Sequence, residues 1–368
     1  KGDKRMFLTF GGQWQEEMDI KFLFIVGTPP SDVLDINNVW KSLRSSNSQN
    51  INGDVVFPPR NITFPSNANS FKIRSTVTGH GQQGEFIPRN HHLNVDGGAN
   101  EFSWQAWKEC AANPVYPQGG TWIYDRAGWC PGMATDIAEY DITSLTKGKS
   151  FVTLDYTIDA GEGDSRYIVN NQMVTYGDWN YGVDASVSDI ISPSNRVEYA
   201  KINPMCVNPK IELTNTGSNE LTFIEVEYWV NDKSNKKKNT WHGKLAPGQS
   251  VVHTLPVEQS LWTSANGVDD KFYATIVSTS AGADENAANN MAFSSFTLPE
   301  VLPNNLLILT RGNNAGSETT MTIKDDWGQV VFEKKGFANN QFIRDTVRLG
   351  NGCHTLSVTD SDNDGISF

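Results

Sequence analysis

Apolar residues in this chain recur at every second position. Phe71-Lys72-Ile73-Arg74-Ser75-Thr76-Val77, Phe151-Val152-Thr153-Leu154-Asp155-Tyr156-Thr157-Ile158, Phe223-Ile224-Glu225-Val226-Glu227-Tyr228-Trp229-Val230 and Met321-Thr322-Ile323 all follow this period. Alternation of that kind puts one face of a strand in a core and the other in water. Between such runs lie clusters of Gly, Asn, Asp, Ser and Pro, with 31 Gly and 16 Pro overall, which mark turns. Amphipathic helical windows are nearly absent. A strand with one apolar face needs a second sheet to cover it, so the expected fold class is all-β, built of sandwiches. At 368 residues the chain is long enough for two or three such domains.

Composition excludes several functions. Charged residues make up 20% and aromatics 11%, too aromatic and too weakly charged for a disordered chain. The formal charge is −12, and the one dense basic run, Lys236-Lys237-Lys238, falls where a hairpin tip is expected. A nucleic-acid groove is therefore not expected. The longest apolar stretch, Phe22-Leu23-Phe24-Ile25-Val26, has strand length, far short of the roughly 18 residues of a membrane-spanning helix. The chain opens on Lys1-Gly2-Asp3 and closes on Asp364-Gly365-Ile366-Ser367-Phe368, neither resembling a natural terminus, so a fragment of a longer protein is expected.

Two composition changes suggest boundaries. Ile202-Asn203-Pro204-Met205-Cys206-Val207-Asn208-Pro209 precedes a run of strands, and Leu298-Pro299-Glu300-Val301-Leu302-Pro303-Asn304-Asn305 reads as a rigid linker with proline at both ends. They divide the chain near residues 203 and 302.

The densest polar and aromatic chemistry lies in 79–133. It contains Gly79-His80-Gly81, Glu85, Arg89, His91-His92 and four tryptophans, Trp104, Trp107, Trp122 and Trp129. Indoles serve a core, and they also stack on the C–H face of a sugar while their N–H finds a polar partner. Most of the four are expected in the core, with Trp129 the best exception.

Asp125-Arg126-Ala127-Gly128-Trp129-Cys130-Pro131-Gly132-Met133-Ala134 closely resembles a segment of the peptide N-glycosidase F family, bacterial amidases that remove N-linked glycans from asparagine. Cys110-Ala111-Ala112-Asn113-Pro114, Gly79-His80, Gly27-Thr28-Pro29 and Gly163-Asp164 resemble further family phrases, so the resemblance spans about residues 4–185. It implies a pair of packed jelly rolls, a fold shared with copper-dependent peptidylglycine monooxygenases. Residues 1–29 would hold the last strands of a first roll and 30–203 the second.

The resemblance also implies site residues. Glu85 takes the place of the family's second-roll glutamate, with Arg89, His91 and Leu93 keeping its spacing. Arg126 takes the place of a functional arginine, able to hold Glu85 ionised or clamp a substrate amide, and Trp129 of a tryptophan able to stack on the first sugar. Glu85 and Arg126 are thus the expected catalytic residues, and Trp129, His91 and Arg89 the expected substrate contacts. The competing reading of Glu85 and Arg126 is an ion pair that merely holds the loop, and of Asp125 a turn-capping carboxylate. The family's other essential glutamate falls on Thr9, its catalytic aspartate would precede Lys1, and a cysteine pair of the family is replaced by Gly84 and Ile87. Activity would then need an aspartate from outside this chain, and no cofactor is required.

Cys110 and Cys130 match a family disulfide, which implies an exported, oxidising location; Cys206 and Cys353 are either single thiols or a bridge between modules. Asp360-Ser361-Asp362-Asn363-Asp364-Gly365 opens like a calcium loop, so Asp360, Asp362 and Asp364 are candidates for a structural calcium. Copper at His91-His92, with Met133 or Met173, is disfavoured because adjacent strand residues point to opposite faces. Residues 204–302, with Thr214-Asn215-Thr216-Gly217, Leu245-Ala246-Pro247-Gly248-Gln249-Ser250 and Asp284-Glu285-Asn286-Ala287-Ala288-Asn289-Asn290, resemble immunoglobulin-like adhesion modules of bacterial surface proteins. Residues 303–368 resemble a small, incomplete β-module of Bacteroidota surface proteins. Together these resemblances imply a secreted or cell-surface protein, exported by the type IX route. The partners implied are glycoproteins or glycans, with surface or secretion-system proteins as the alternative for a non-catalytic or architectural component.

Overall fold

The computed structural model describes residues 26–42, 44–98, 100–110, 124–161, 163–199, 202–256 and 259–362. Three β-layered units follow one another along the chain.

In the first, β1 (Ser31–Lys41), β9 (Arg166–Trp179), β4 (Ser70–His80) and β7 (Ile137–Asp141) lie side by side, with the short β2 (Ser46–Asn47) also pairing with β9. The second sheet runs β3 (Arg60–Thr63), β8 (Phe151–Ile158), β5 (Asn90–Val95), β6 (Asn100–Gln105). All pairings are antiparallel. Strand β4 shows how the sequence builds this layer: Phe71, Ile73, Ser75 and Val77 turn inward, while Lys72, Arg74 and Thr76 turn outward. The inward set meets Leu93, Val95, Leu154, Tyr156, Tyr167 and Val169 in one core. Within it Ser75 Oγ donates to Asn171 Oδ1, while the buried Asn171 Nδ2 has no hydrogen-bond partner among the described residues.

The second unit stacks β10 (Ala185–Ser192), β11 (Lys210–Asn215) and β14 (Ser250–Thr254) against β13 (Lys237–Leu245), β12 (Leu221–Val230), β15 (Lys271–Thr279) and β16 (Met291–Ser295). The expected boundary at 203 therefore falls too late. Ala185, Val187 and Ile190 alternate inward and β10 pairs with β11, so the proline-rich stretch 203–209 is a loop inside this sandwich. The actual junction follows Trp179. There Gly182 N and Val183 N donate to the Glu285 carboxylate at 2.9 and 3.3 Å, and Ala185 N to Asp284 Oδ2 at 2.9 Å. Lys236 and Lys238 are tied to Glu227 and Glu225 at 2.8 and 2.7 Å, which spends their charge locally.

The third unit pairs β17 (Asn305–Arg311) with β20 (Phe342–Arg348), and β18 (Thr319–Lys324) lies between β19 (Val330–Lys335) and β21 (Thr355–Asp360). Its core is small, centred on Met321, Phe337 and Ile343. Cys206 and Cys353 form a disulfide, which resolves the alternative the sequence leaves open and ties the 203–209 loop to this unit. Among the described residues no helix is long and apolar enough to cross a membrane.

Candidate functional site

Strand β4 ends at His80, and the chain turns at once into a single helical turn over Gln82–Glu85. Asp164 fixes that turn by accepting from Gln82 N at 2.7 Å and Gln83 N at 3.0 Å. Both bonds favour the ionised carboxylate and hold it below its usual range. Glu85 N donates to Gly81 O at 2.8 Å within the turn, and backbone bonds then stitch the turn and β4 to the 126–128 loop: Ala127 N to Glu85 O at 2.9 Å and Gly79 N to Ala127 O at 2.9 Å. Two glycines make this close stacking possible. A Cβ on Gly79 would lie 1.9 Å from Gly84 O, and one on Gly128, whose φ is +75°, would lie 2.0 Å from Val77 O.

The far side of the loop is equally constrained. Lys108 N donates to Arg126 O at 2.8 Å and Arg126 N to Lys108 O at 3.1 Å. The Cys110–Cys130 disulfide closes the loop with a Cα separation of 5.4 Å. Asp125 Oδ1 accepts from Cys110 N at 3.1 Å, so this carboxylate braces backbone, as its capping reading expects.

On this platform Arg126 Nη1 donates to Glu85 Oε1 at 2.6 Å. The arginine side chain is 5% accessible and the glutamate 18%. The guanidinium also lies 4.9 Å from the Trp129 ring centre and 5.3 Å from that of Phe86, a favourable place for a cation. Burial pushes the Glu85 carboxyl above its ordinary value, against the pull of Arg126. Burial likewise lowers Arg126, against the pull of Glu85; an arginine so lowered still holds its proton at neutral pH. A pair in which desolvation outweighs attraction adds little to folding, and perturbed groups of this sort cluster at working sites.

The other expected site residues divide. Trp129 sits beside the pair, half-buried, its Nε1 donating to Gly79 O at 3.0 Å. Its ring faces both the Arg126 guanidinium and the His80 imidazole, the latter stacked at 6.1 Å. Part of the indole remains accessible to solvent. Arg89 braces another loop: its Nη1 donates to Ala160 O at 2.6 Å, and its buried Nε has no partner among the described residues.

His91 must be corrected. It is fully buried, its Nδ1 2.6 Å from Tyr156 Oη, among the rings of Trp104, Tyr156 and Tyr167, so it does not meet a substrate in this conformation. The reason is strand parity: His91 shares its face with Leu93 and Val95. His92 points the other way, toward Glu101 at 2.7 Å and Asp159 at 3.1 Å, and Met173 lies in the core.

Asp360 Oδ1 accepts from Asp362 N at 3.1 Å, while Asp364 lies outside the described residues, as do Thr9 and Trp122. Among the described residues no group of three His, Cys, Asp or Glu is arranged to hold a metal ion. His80, Phe86 and Tyr124, to which no sequence pattern assigns a role, also lie around the pair. Tyr124 is 46% exposed and meets Phe86 edge-on at 6.4 Å.

Residues 50–175 match the family described as Peptide-N-glycosidase F, C terminal. The Peptide-N(4)-(N-acetyl-beta-D-glucosaminyl)asparagine amidase F of Elizabethkingia miricola is 30% identical over 131 residues, which cover 31% of this chain and 37% of that protein. The chain thus spans little more than a third of that curated relative. Among solved structures, a recombinant peptide: N-glycanase F aligns at TM-score 0.30 and 26% identity, over 32% of this chain and 43% of that one. PNGase F, described as a glycosylasparaginase from Flavobacterium meningosepticum, aligns at TM-score 0.34 and 22% identity, over 42% and 55%. The matched segment contains Glu85, Arg126 and Trp129, and this part of the chain is related to peptide N-glycosidase F.

Proposed function

We propose that the first unit, residues 26–179, carries one side of an amidase site that acts on the bond between glycan and asparagine in glycoproteins. The observation that carries this reading is the desolvated Glu85–Arg126 pair at 2.6 Å, inside the segment related to peptide N-glycosidase F. Amide hydrolysis needs a base near the attacking water and positive charge or donors near the carbonyl oxygen as it gains charge. Arg126 supplies the charge, and Glu85 orients the water or the reacting amide. Among the described residues the ion-pair partner of Glu85 is Arg126; the reading assigns the water-activating carboxylate to an adjoining jelly roll. Two disulfides favour an oxidising, exported location, where glycoproteins are met.

The test is glycan release from a denatured glycoprotein by the full-length protein. Glu85→Gln is expected to lower kcat/KM by about 100- to 10,000-fold, the usual worth of an acid–base or charge-stabilising group, measured at a temperature where the variant is still folded. Equal release by both proteins removes Glu85 from the mechanism. Glycan binding with no release by the full-length wild type would instead establish a non-catalytic glycan-binding module.

A further inference from the structure

The second sandwich has a feature that its own folding does not explain. On the outer face of its four-stranded sheet, Trp229, Tyr273 and Phe293 cross three adjacent strands. Trp229 and Tyr273 are stacked at 5.3 Å with 7° between their planes, and Tyr273 meets Phe293 at 5.8 Å. Trp229 is covered, but Phe293 stands 58% exposed, with the Lys271 amine 5.3 Å from its ring centre. A phenylalanine left in water forgoes roughly 2 kcal/mol of burial.

Phe293 forms one wall of a groove of about 460 Å³ that follows the seam between β10 and β16, within the size range of small-molecule sites. The opposite wall is polar. Asp189 Oδ2 accepts from Arg196 and, at 2.8 Å, from Tyr199 Oη. The Arg196 guanidinium also lies 3.1 Å from Glu198 and 4.8 Å over the Tyr199 ring. Asn195 donates to Thr297 Oγ1 at 3.0 Å, which fixes its side chain at the rim. This wall sets two acids, Asp189 and Glu198, against one base, Arg196, so it offers donors and acceptors with only a small net negative charge. A highly charged ligand gains little there. A neutral ring with a C–H face and a rim of hydroxyls matches both walls.

We propose that this groove is a second binding site, for a neutral pyranose of an oligosaccharide. The sugar's apolar face rests on Phe293, and its hydroxyls exchange hydrogen bonds with Asp189, Arg196 and Asn195. The site is separate from Glu85 in sequence and in sheet, and its occupancy does not depend on amide hydrolysis.

Titration calorimetry of the full chain with N,N′-diacetylchitobiose and, separately, with mannotriose tests it. At least one sugar is expected to bind saturably with a dissociation constant of about 1 mM or tighter. Phe293→Ala should weaken that binding by about tenfold or more, Phe293→Trp should restore it, and Glu85→Gln should leave it unchanged. No heat from either sugar with the wild type overturns the proposal, as does wild-type affinity in Phe293→Ala. Binding lost in Glu85→Gln but kept in Phe293→Ala would also overturn it, and would place the sugar at the first-sandwich site. Glycan release from a short glycopeptide by Phe293→Ala is expected at the wild-type rate, so failure at one site is distinguishable from failure at the other.

Discussion

Arg126 in the first sandwich and Arg196 in the second are chemically alike. Each bonds a carboxylate, and each lies against aromatic rings, Trp129 and Phe86 in one case and Tyr199 in the other. Their environments separate them. Arg126 is 5% accessible and burial lowers its pKa. Arg196 is 48% accessible, and although burial pulls its pKa down, its bond to Asp189 and the nearby acids raise it overall. One contact list thus describes two electrostatic objects: a pair held in place by its platform despite desolvation, and a pair whose members stabilise each other in partial contact with water.

The difference can be pushed hardest at a buried base with no carboxylate bonded to it. His91 is held down to about 3 by burial first, with His92 adding to the effect and Asp159 opposing it, against an ordinary value of 6.5. Its folded value is depressed, so the stability it contributes is complete above pH 6.5 and is lost as pH falls toward 3. The ceiling is about 5 kcal/mol. Chemical denaturation across that window should show the loss in wild type and a shallower slope in His91→Gln. Parallel slopes would mean that the imidazole stays neutral in the unfolded chain as well, or charges freely in the folded one.

A smaller effect is expected from removing one member of the desolvated pair. Arg126→Ala leaves Glu85 partly buried beside a cavity, and the denaturation free energy should fall by about 3 kcal/mol. Smallest is the exposed counterpart: Arg196→Ala should cost under about 1 kcal/mol, and added salt should erase most of it. If the two arginine variants cost the same, the contrast between the pairs fails.

What the sequence discloses follows from the range over which each signal acts. Alternation is local, so β4, β8 and β12 are legible from a few residues each. The parity that buries His91 was legible too, since Leu93 and Val95 share its face; the family spacing drew attention away from it. Proline and asparagine mark chain reversal without saying whether a domain ends, so 203–209 has the composition of a boundary although β10 has already begun the next sandwich. Glu85 and Arg126 are 41 residues apart and meet only through the backbone ladder around Gly79. No period links them, and only a whole-motif resemblance could have paired them. The pairing of Cys206 with Cys353, 147 residues apart, lies beyond any local pattern.

That last bond also changes how the molecule would bear tension. A pull applied between β10 and β21 does not have to travel through β11, β12 and the strands that follow. It passes from β21 to Cys353, across the sulfur–sulfur bond to Cys206, and on to β10. While that bond is intact, residues 207–352 form a slack branch beside the stressed path, so most of the second sandwich and the small-cored third unit are spared the load; a reductant would place them back in line with it.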